Sequence, residues 1–372
     1  MLNRKKVMVV FGTRPEAIKM APVVQALREK ETISCQVAVT AQHREMLDQV
    51  LNLFNIVPDF DLNLMKPGQT LTEITTRGLN GLQEVFLQER PELVLVHGDT
   101  TTTFVASLAA FYAQIQVGHV EAGLRTGNKY SPYPEEMNRK LTGVLADLHF
   151  APTETARNNL LHEGVSSEKI FITGNTVIDA LLATVRKEYR FQDQKIQSIL
   201  EQGKSRIILV TTHRRENLGE PMRQIYQAIN DTLEAFPDTQ VVFPVHKNPK
   251  VLKVVTEVLG RHPRVNLVEP MDYEPFVNLM ARADLILTDS GGIQEEAPSL
   301  GIPVLVVRDT TERPEAVKAG TVALTGTNYE SVFGNLKRLL GDHQAYEQMA
   351  LAINPYGDGF AAKRIADIIA QN

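Results

Sequence analysis

Short β-branched apolar runs alternate with longer amphipathic segments along the whole chain, and this alternation constrains the fold more than any other feature. Strands are expected over residues 7–11, 37–40, 93–97, 116–120, 149–151 and 170–173, and again over 207–211, 240–244, 265–268, 285–288, 304–307 and 321–324. Helices are expected between them, for example over 15–29, 70–89, 102–113, 135–146, 221–236 and 328–340. The strands are apolar almost throughout instead of alternating. Such strands are buried on both faces, which implies parallel sheets covered by helices on either side.

The strands fall into two series, and 372 residues suit two domains better than one core. The expected class is therefore α/β, with two Rossmann-like doubly wound domains facing a cleft. The linker is placed just before the polar segment 187–204, which carries no strand signal, with residues 175–186 as a bridging helix. This gives an N-terminal domain over 1–174 and a C-terminal domain over 175–359. Residues 359–372 read as an amphipathic helix with Ala362, Ile365, Ile368 and Ile369 on one face, set off by the breaker Asn354-Pro355-Tyr356-Gly357-Asp358-Gly359. Facing sheets would turn their strand carboxyl ends toward one cleft, where ligands of such folds bind.

Composition narrows the partners. A net charge of −5 argues against nucleic acid. No apolar run approaches the roughly 18–20 residues of a membrane span, and the N-terminal run 7–11 is too short for a signal segment. The expected location is the cytoplasm. A single cysteine, Cys35, excludes an intrachain disulfide. It stands within an apparent strand, so a small buried filler is the better reading than a nucleophile.

One strand–helix junction has a special composition. Leu285-Ile286-Leu287 runs into Thr288-Asp289-Ser290-Gly291-Gly292-Ile293-Gln294-Glu295-Glu296. Free backbone N–H groups and the positive end of a helix meet at such a Ser-Gly-Gly turn, which makes an anion site. The two carboxylates one turn later could bind sugar hydroxyls, so diphosphate plus ribose is the first functional reading. No GxGxxG or P-loop fingerprint occurs, and no zinc-site spacing appears among the scattered histidines. Neither a cofactor nor a metal is expected.

Other strand ends carry further groups. Gly12-Thr13-Arg14-Pro15-Glu16 follows the first strand, with Lys19 one turn on; cations there oppose the helix dipole and suggest a bound anion. Asp99, in His97-Gly98-Asp99-Thr100, reads equally as a helix cap. Glu121, in His119-Val120-Glu121-Ala122-Gly123-Leu124-Arg125, does not, because it directly follows an apolar strand. Glu135 and Glu136 open the next helix, where dipole pairing accounts for them. Carboxylates converging at one sheet edge are expected to push their pKa values apart and to move protons. His213, in Thr212-His213-Arg214-Arg215-Glu216-Asn217, suits an acid, a base or a phosphate donor. His246 is a second strand-end histidine, open between structural and functional readings. Arg308 and Arg313 could close on phosphates or on the acids.

Taken in order, Phe11-Gly12-Thr13-Arg14-Pro15-Glu16, His97-Gly98-Asp99-Thr100, Val120-Glu121-Ala122-Gly123-Leu124-Arg125, Pro134-Glu135-Glu136-Met137-Asn138-Arg139, Thr212-His213-Arg214-Arg215-Glu216-Asn217 and Asp289-Ser290-Gly291-Gly292 closely resemble the non-hydrolysing UDP-N-acetylglucosamine 2-epimerases of bacteria. The resemblance covers essentially the full length. It implies a glycosyltransferase-B-like fold with residues 360–372 packing back on the first domain. It also implies a homodimer and interconversion of UDP-GlcNAc and UDP-ManNAc for cell-surface polysaccharide, without metal or nicotinamide.

The resemblance assigns Ser290, Gly291 and Gly292 to the diphosphate, Glu296 to the ribose, Phe276 to the uracil, and Arg14, His213 and Arg313 to the phosphates. Met271 replaces a Gln of some relatives and would contact through its backbone. Lys19, Asp99, Glu121 and Glu135 surround the sugar, with Asp99 and Glu121 as principal proton carriers, Glu135 assisting and His213 serving the leaving phosphate. An activating UDP-GlcNAc would touch Gln42, Glu45, Glu135, Arg214 and His246, while Gly68 stands where relatives often carry an allosteric arginine. The competing readings are a hydrolysing epimerase, a glycosyltransferase of the same fold and a UDP-sugar sensor.

Overall fold

A computed structural model describes residues 4–41, 44–64, 66, 68–201, 203 and 205–372. The chain divides into two compact units, Met1–Leu182 with Tyr356–Asn372, and Ala183–Pro355.

The first unit holds seven strands, β1 (Lys5–Phe11), β2 (Ile33–Val39), β3 (Phe60–Asp61), β4 (Leu93–His97), β5 (Gln116–Val120), β6 (Leu148–Ala151) and β7 (Ile170–Ile172). They form one sheet in the order β3-β2-β1-β4-β5-β6-β7, parallel at every pairing. Val7 to Phe11 and Leu93 to Val96 are fully buried, as expected of strands covered on both faces. On one face Met8, Val10, Val94 and Val96 pack with Leu82 and Phe86 of helix Leu71–Glu89 and Val105 and Ala109 of helix Thr101–Tyr112. Helix Arg14–Arg28 packs with the last helix, Ala361–Gln371, whose Ile365, Ala366 and Ile369 are fully buried.

The second unit holds β8 (Arg206–Thr211), β9 (Thr239–Pro244), β10 (Val265–Val268), β11 (Leu285–Thr288), β12 (Val304–Val306) and β13 (Val322–Leu324). Their order is β10-β9-β8-β11-β12-β13, again wholly parallel. Its core gathers Ile208, Val210, Tyr226, Ile229, Phe243, Leu285, Leu287, Val332 and Leu336. Both units are thus doubly wound and Rossmann-like, as the alternation of runs implies.

The structure adds three points. β3 is a two-residue edge strand, too short to leave a run in the sequence. The polar segment 187–204 contains helix Gln194–Glu201, which buries only Ile196 and Ile199. Helix Thr176–Thr184 lies mostly in the first unit, so the boundary falls after Leu182 and not after Gly174. The reason is a cap: the Asp179 carboxylate accepts the N–H groups of Ala361 (3.2 Å) and Ala362 (2.8 Å), satisfying free donors at the start of the last helix. Cys35 is half-buried in β2, and burial pushes its thiol up to about 12.

Among the described residues no helix is long and apolar enough to cross a membrane.

Candidate active site

In each sheet the strand order reverses at one place, between β1 and β4 and between β8 and β11. Crossovers leave such a point in opposite directions and open a crevice beyond the strand ends. The motif residues stand there: residues 12–16 follow β1, 98–100 follow β4, 212–214 follow β8 and 289–292 follow β11.

In the first unit, Glu16 organises the switch point. It is 2% exposed. One of its oxygens accepts the N–H of Gly12 (3.1 Å) and of Thr13 (2.8 Å), and the other accepts the Thr100 hydroxyl at 2.7 Å. Gly12 is needed for close approach: a Cβ would lie 2.0 Å from Thr40 Oγ1 and 2.5 Å from Thr102 Oγ1. Arg14 opens the helix half-buried.

Lys19, which the resemblance puts with Glu121 around the sugar, is ion-paired with Glu121. Glu121 follows β5 in a left-handed conformation, φ 62°. This is uncommon for a residue with a side chain and turns the carboxylate out of the strand direction. His97 Nε2, at the end of β4, lies 3.7 Å from the same carboxylate. Burial works against the charged form of Glu121, yet the Lys19 ammonium and His97 hold its carboxyl well below the usual carboxylate range.

Asp99 has its own cation. Arg139 Nη2 donates to its carboxylate at 2.5 Å, and Asn138 Nδ2 donates to its backbone carbonyl at 3.0 Å. The groups that set Glu121 are cations, and Asp99 is held by a guanidinium. Glu135 sits half-buried in the first turn of helix Glu135–Leu145. Its neighbour Glu136 is fully buried and accepts the N–H groups of Thr126 and Gly127, both at 3.1 Å.

In the second unit, Asp289 plays the part Glu16 plays in the first. It is fully buried and accepts the N–H of His213 and of Arg214, both at 2.9 Å, and Asn217 Nδ2 at 3.1 Å. This ties the loop after β8 to the Ser290 turn. Ser290 N–H is used within the turn, donating to Thr288 Oγ1 at 2.9 Å. Gly291 and Gly292 open helix Gly291–Glu296. A Cβ on either would meet nothing nearer than 3.9 Å and 3.7 Å respectively. Packing within the unit therefore does not demand glycine there; an approaching ligand would.

The two carboxylates of this helix separate in role. Glu295 is 3% exposed and ion-paired with Arg313, whereas Glu296 meets the Tyr273 hydroxyl at 3.4 Å. Burial and the Glu296 charge raise the Tyr273 hydroxyl well above its usual value. Phe276 and Met271 are half-buried, the first within helix Tyr273–Met280 and the second just before it. Arg308, open in the sequence between phosphates and acids, is 6% exposed and donates to both oxygens of Glu312, at 2.7 and 3.0 Å. That pairing holds the Glu312 carboxyl at about 2.

Of the residues expected at a second ligand, His246 stacks on His213, with centroids 5.6 Å apart and planes 14° from parallel. Arg214 Nε donates to the Asp289 carbonyl at 2.8 Å, and Glu45 is exposed in the first turn of helix Arg44–Leu53. Gln42 lies outside the described residues. Gly68 has φ 70° and open space around it.

Sequence reasoning missed His97 beside Glu121 and Arg139 on Asp99. Arg139 had a signal, since it stands one helical turn after Glu135 on the same face.

Comparison with known proteins extends this picture. The family model described as UDP-N-acetylglucosamine 2-epimerase matches residues 25–370. The UDP-N-acetylglucosamine 2-epimerase of Bacillus subtilis strain 168 is 58% identical over 367 residues, covering 98% of this chain and 95% of that protein. That of Escherichia coli K12 is 58% identical over 373 residues, covering 99% of each. A Listeria monocytogenes structure described as a putative UDP-N-acetylglucosamine 2-epimerase superposes with a TM-score of 0.93 at 55% identity, over 98% of this chain and 96% of the other. A Neisseria meningitidis UDP-GlcNAc 2-epimerase solved with UDP-GlcNAc bound gives 0.85 at 53% identity, over 99% and 100%.

Proposed function

The chain belongs to the UDP-N-acetylglucosamine 2-epimerase family of isomerases, and from that premise we propose that it inverts C2 by removing UDP and adding it back without hydrolysis. C2 is not next to a carbonyl, so direct proton abstraction there is hard. In the proposed course the C1–O bond breaks and its electron pair leaves on the diphosphate. The C2 proton passes to a carboxylate, and a C1–C2 double bond forms, giving a 2-acetamidoglucal. Protonation of C2 from the other face and return of the diphosphate oxygen to C1 yield UDP-N-acetylmannosamine.

The observation that carries this reading is Glu121, a nearly buried carboxylate kept ionised by Lys19 and His97 at a strand end. An ionised carboxylate in a low-dielectric site is suited to stabilise an oxocarbenium-like centre and to take a proton. Asp99 shares the proton work and Glu135 assists. Ser290, Gly291 and Gly292 hold the diphosphate, with Arg14, His213 and Arg313 around it. Glu296 binds the ribose, Phe276 lies at the uracil, and Met271 contacts through its backbone. The same proposal places the enzyme in the cytoplasm as a homodimer supplying N-acetylmannosamine for cell-surface polysaccharide. A second UDP-GlcNAc, at Gln42, Glu45, Glu135, Arg214 and His246, would activate it.

The test is incubation of the full-length protein with UDP-GlcNAc in heavy water, followed by NMR of the nucleotide sugars. UDP-ManNAc deuterated at C2 is the expected product. Free ManNAc with UDP as the main product would replace this reading by the hydrolysing one. Tight binding with no turnover would replace it by a UDP-sugar sensor.

A further inference from the structure

We propose that His119 is a positioning residue that fixes where Asp99 stands relative to Glu121, an inference that rests on the proposed roles of those two carboxylates. His119 lies in β5, two residues before Glu121, and is 1% exposed. Its Nε2 lies 2.7 Å from the carbonyl oxygen of Gly98, the residue immediately before Asp99. A carbonyl only accepts, so Nε2 carries the proton and donates it.

The other side of Gly98 is held by the same strand, because its N–H donates to the Val120 carbonyl at 2.9 Å. Both polar groups of Gly98 are therefore bonded to β5. This glycine has φ 68° and no side chain to restrict it. It is the natural pivot between β4 and Asp99, and β5 clamps it. Without the imidazole, the Gly98 carbonyl loses its partner and the peptide joining Gly98 to Asp99 is released to rotate. Such a rotation would swing the Asp99 carboxylate while leaving Glu121, at the end of β5, in place. The Arg139 and Asn138 contacts hold Asp99 from the helix side only.

The chemical state of the ring supports a geometric role. Burial holds His119 down at about 3, so it stays neutral and always presents the same donor. Its Nδ1 is buried with no hydrogen-bond partner among the described residues. An unpaired buried nitrogen lowers stability, and an apolar residue would avoid that cost. The imidazole is thus better accounted for by what its donor end holds than by packing. His119 touches no reacting atom in this scheme; it acts through Gly98.

The experiment compares wild type with His119→Leu, His119→Asn and His119→Gln, all full-length, for kcat, KM, UDP binding and melting temperature. Gln places an amide N–H near the position of Nε2, whereas Asn is a methylene too short. The expected result is a kcat lowered about a hundredfold in the Leu variant, the scale of a misplaced catalytic group. KM and UDP affinity should stay within about twofold, Asn should behave like Leu, and Gln should recover most of the loss. Where the Leu variant does not fold, the Asn-to-Gln contrast decides. A Leu or Asn variant with wild-type kcat overturns the proposal. So does a Gln variant no better than Asn, or a loss that follows melting temperature across the series. A wild type without turnover removes the carboxylate roles and this inference together, whereas wild-type turnover with insensitive variants removes the inference alone.

Discussion

Lys19, one turn into the helix after β1, is ion-paired with Glu121 after β5, although β4 lies between those strands. The pair spans the switch point of the sheet, and His97 at the end of β4 approaches it from beneath, 3.7 Å from the carboxylate. Both side chains are largely buried, 16% and 10% exposed.

Removing the cation while keeping its length isolates this relationship. Lys19→Met leaves a buried carboxylate without its main partner, a change that costs about 3 kcal/mol or more. The folded-state pKa of Glu121 lies below its unfolded value, so the pair stabilises the fold above the unfolded carboxylate range of about 4.3 and that contribution fades as pH falls through the depressed value. Urea unfolding of the variant and wild type should therefore differ most at neutral pH and converge in strong acid. A difference that grows on acidification would contradict this.

The buried histidines steepen the same acid limb, beginning at higher pH. Burial, opposed by a backbone hydrogen bond, lowers His119 to about 3 and His149 to about 4. Below about 6.5 the unfolded chain takes up protons that these folded residues refuse, so stability falls on acidification. Each contributes a slope of up to about 1.4 kcal/mol per pH unit until its folded value is reached. His149→Leu should flatten the loss of stability between pH 6.5 and 4.5, measured by urea titration at several pH values.

Two glycines separate packing from ligand binding. Gly12→Ala drives a Cβ into the Thr40–Thr102 hydroxyl pair, whose oxygens lie 2.8 Å apart, and should destabilise by about 1–3 kcal/mol. Gly291→Ala meets its nearest neighbour, Arg214 Nη2, at 3.9 Å. It should leave the melting temperature unchanged while raising the Kd for UDP at least about tenfold, the equivalent of roughly 1.4 kcal/mol. Calorimetric titration with UDP measures this, and unaltered affinity would remove the diphosphate from that turn.

Asp99→Asn and Glu121→Gln should each lower C2 deuterium incorporation by about 10²–10⁴-fold, the usual contribution of a positioned acid or base. Unimpaired exchange in both would end their assignment as proton carriers.

The proposed activation gives a kinetic signature. Consumption of UDP-ManNAc should accelerate on adding UDP-GlcNAc, with a sigmoidal dependence that His246→Ala weakens. A flat response would show that no second nucleotide sugar acts, a result Gly68 would help to explain.

The alternation of runs marked almost every strand because parallel strands are apolar on both faces, and each run such as Leu93–His97 carries its own signal. β3 left none, since two edge residues bury too little, and helix Gln194–Glu201 left little because only Ile196 and Ile199 face inward. Site residues were legible where chemistry is local: a Ser-Gly-Gly turn announces an anion site on its own. Pairings were not. Lys19 with Glu121 and Arg139 with Asp99 join residues whose partnership depends on which loops the sheet order brings together, and charge alone does not choose among them. Glu121 and Asp99 each meet a cation that the clustering of acids alone did not announce.

The first unit is assembled from both ends of the chain, and its last helix is capped by Asp179 and buried through Ile365 and Ile369. During synthesis helix Arg14–Arg28 therefore emerges long before the last helix that packs on it. Its face toward the last helix stays open while the whole second unit is translated. That interval is when this chain is most exposed to aggregation. A messenger truncated between Pro355 and Ala361 would yield a complete second unit joined to a first unit lacking its last helix.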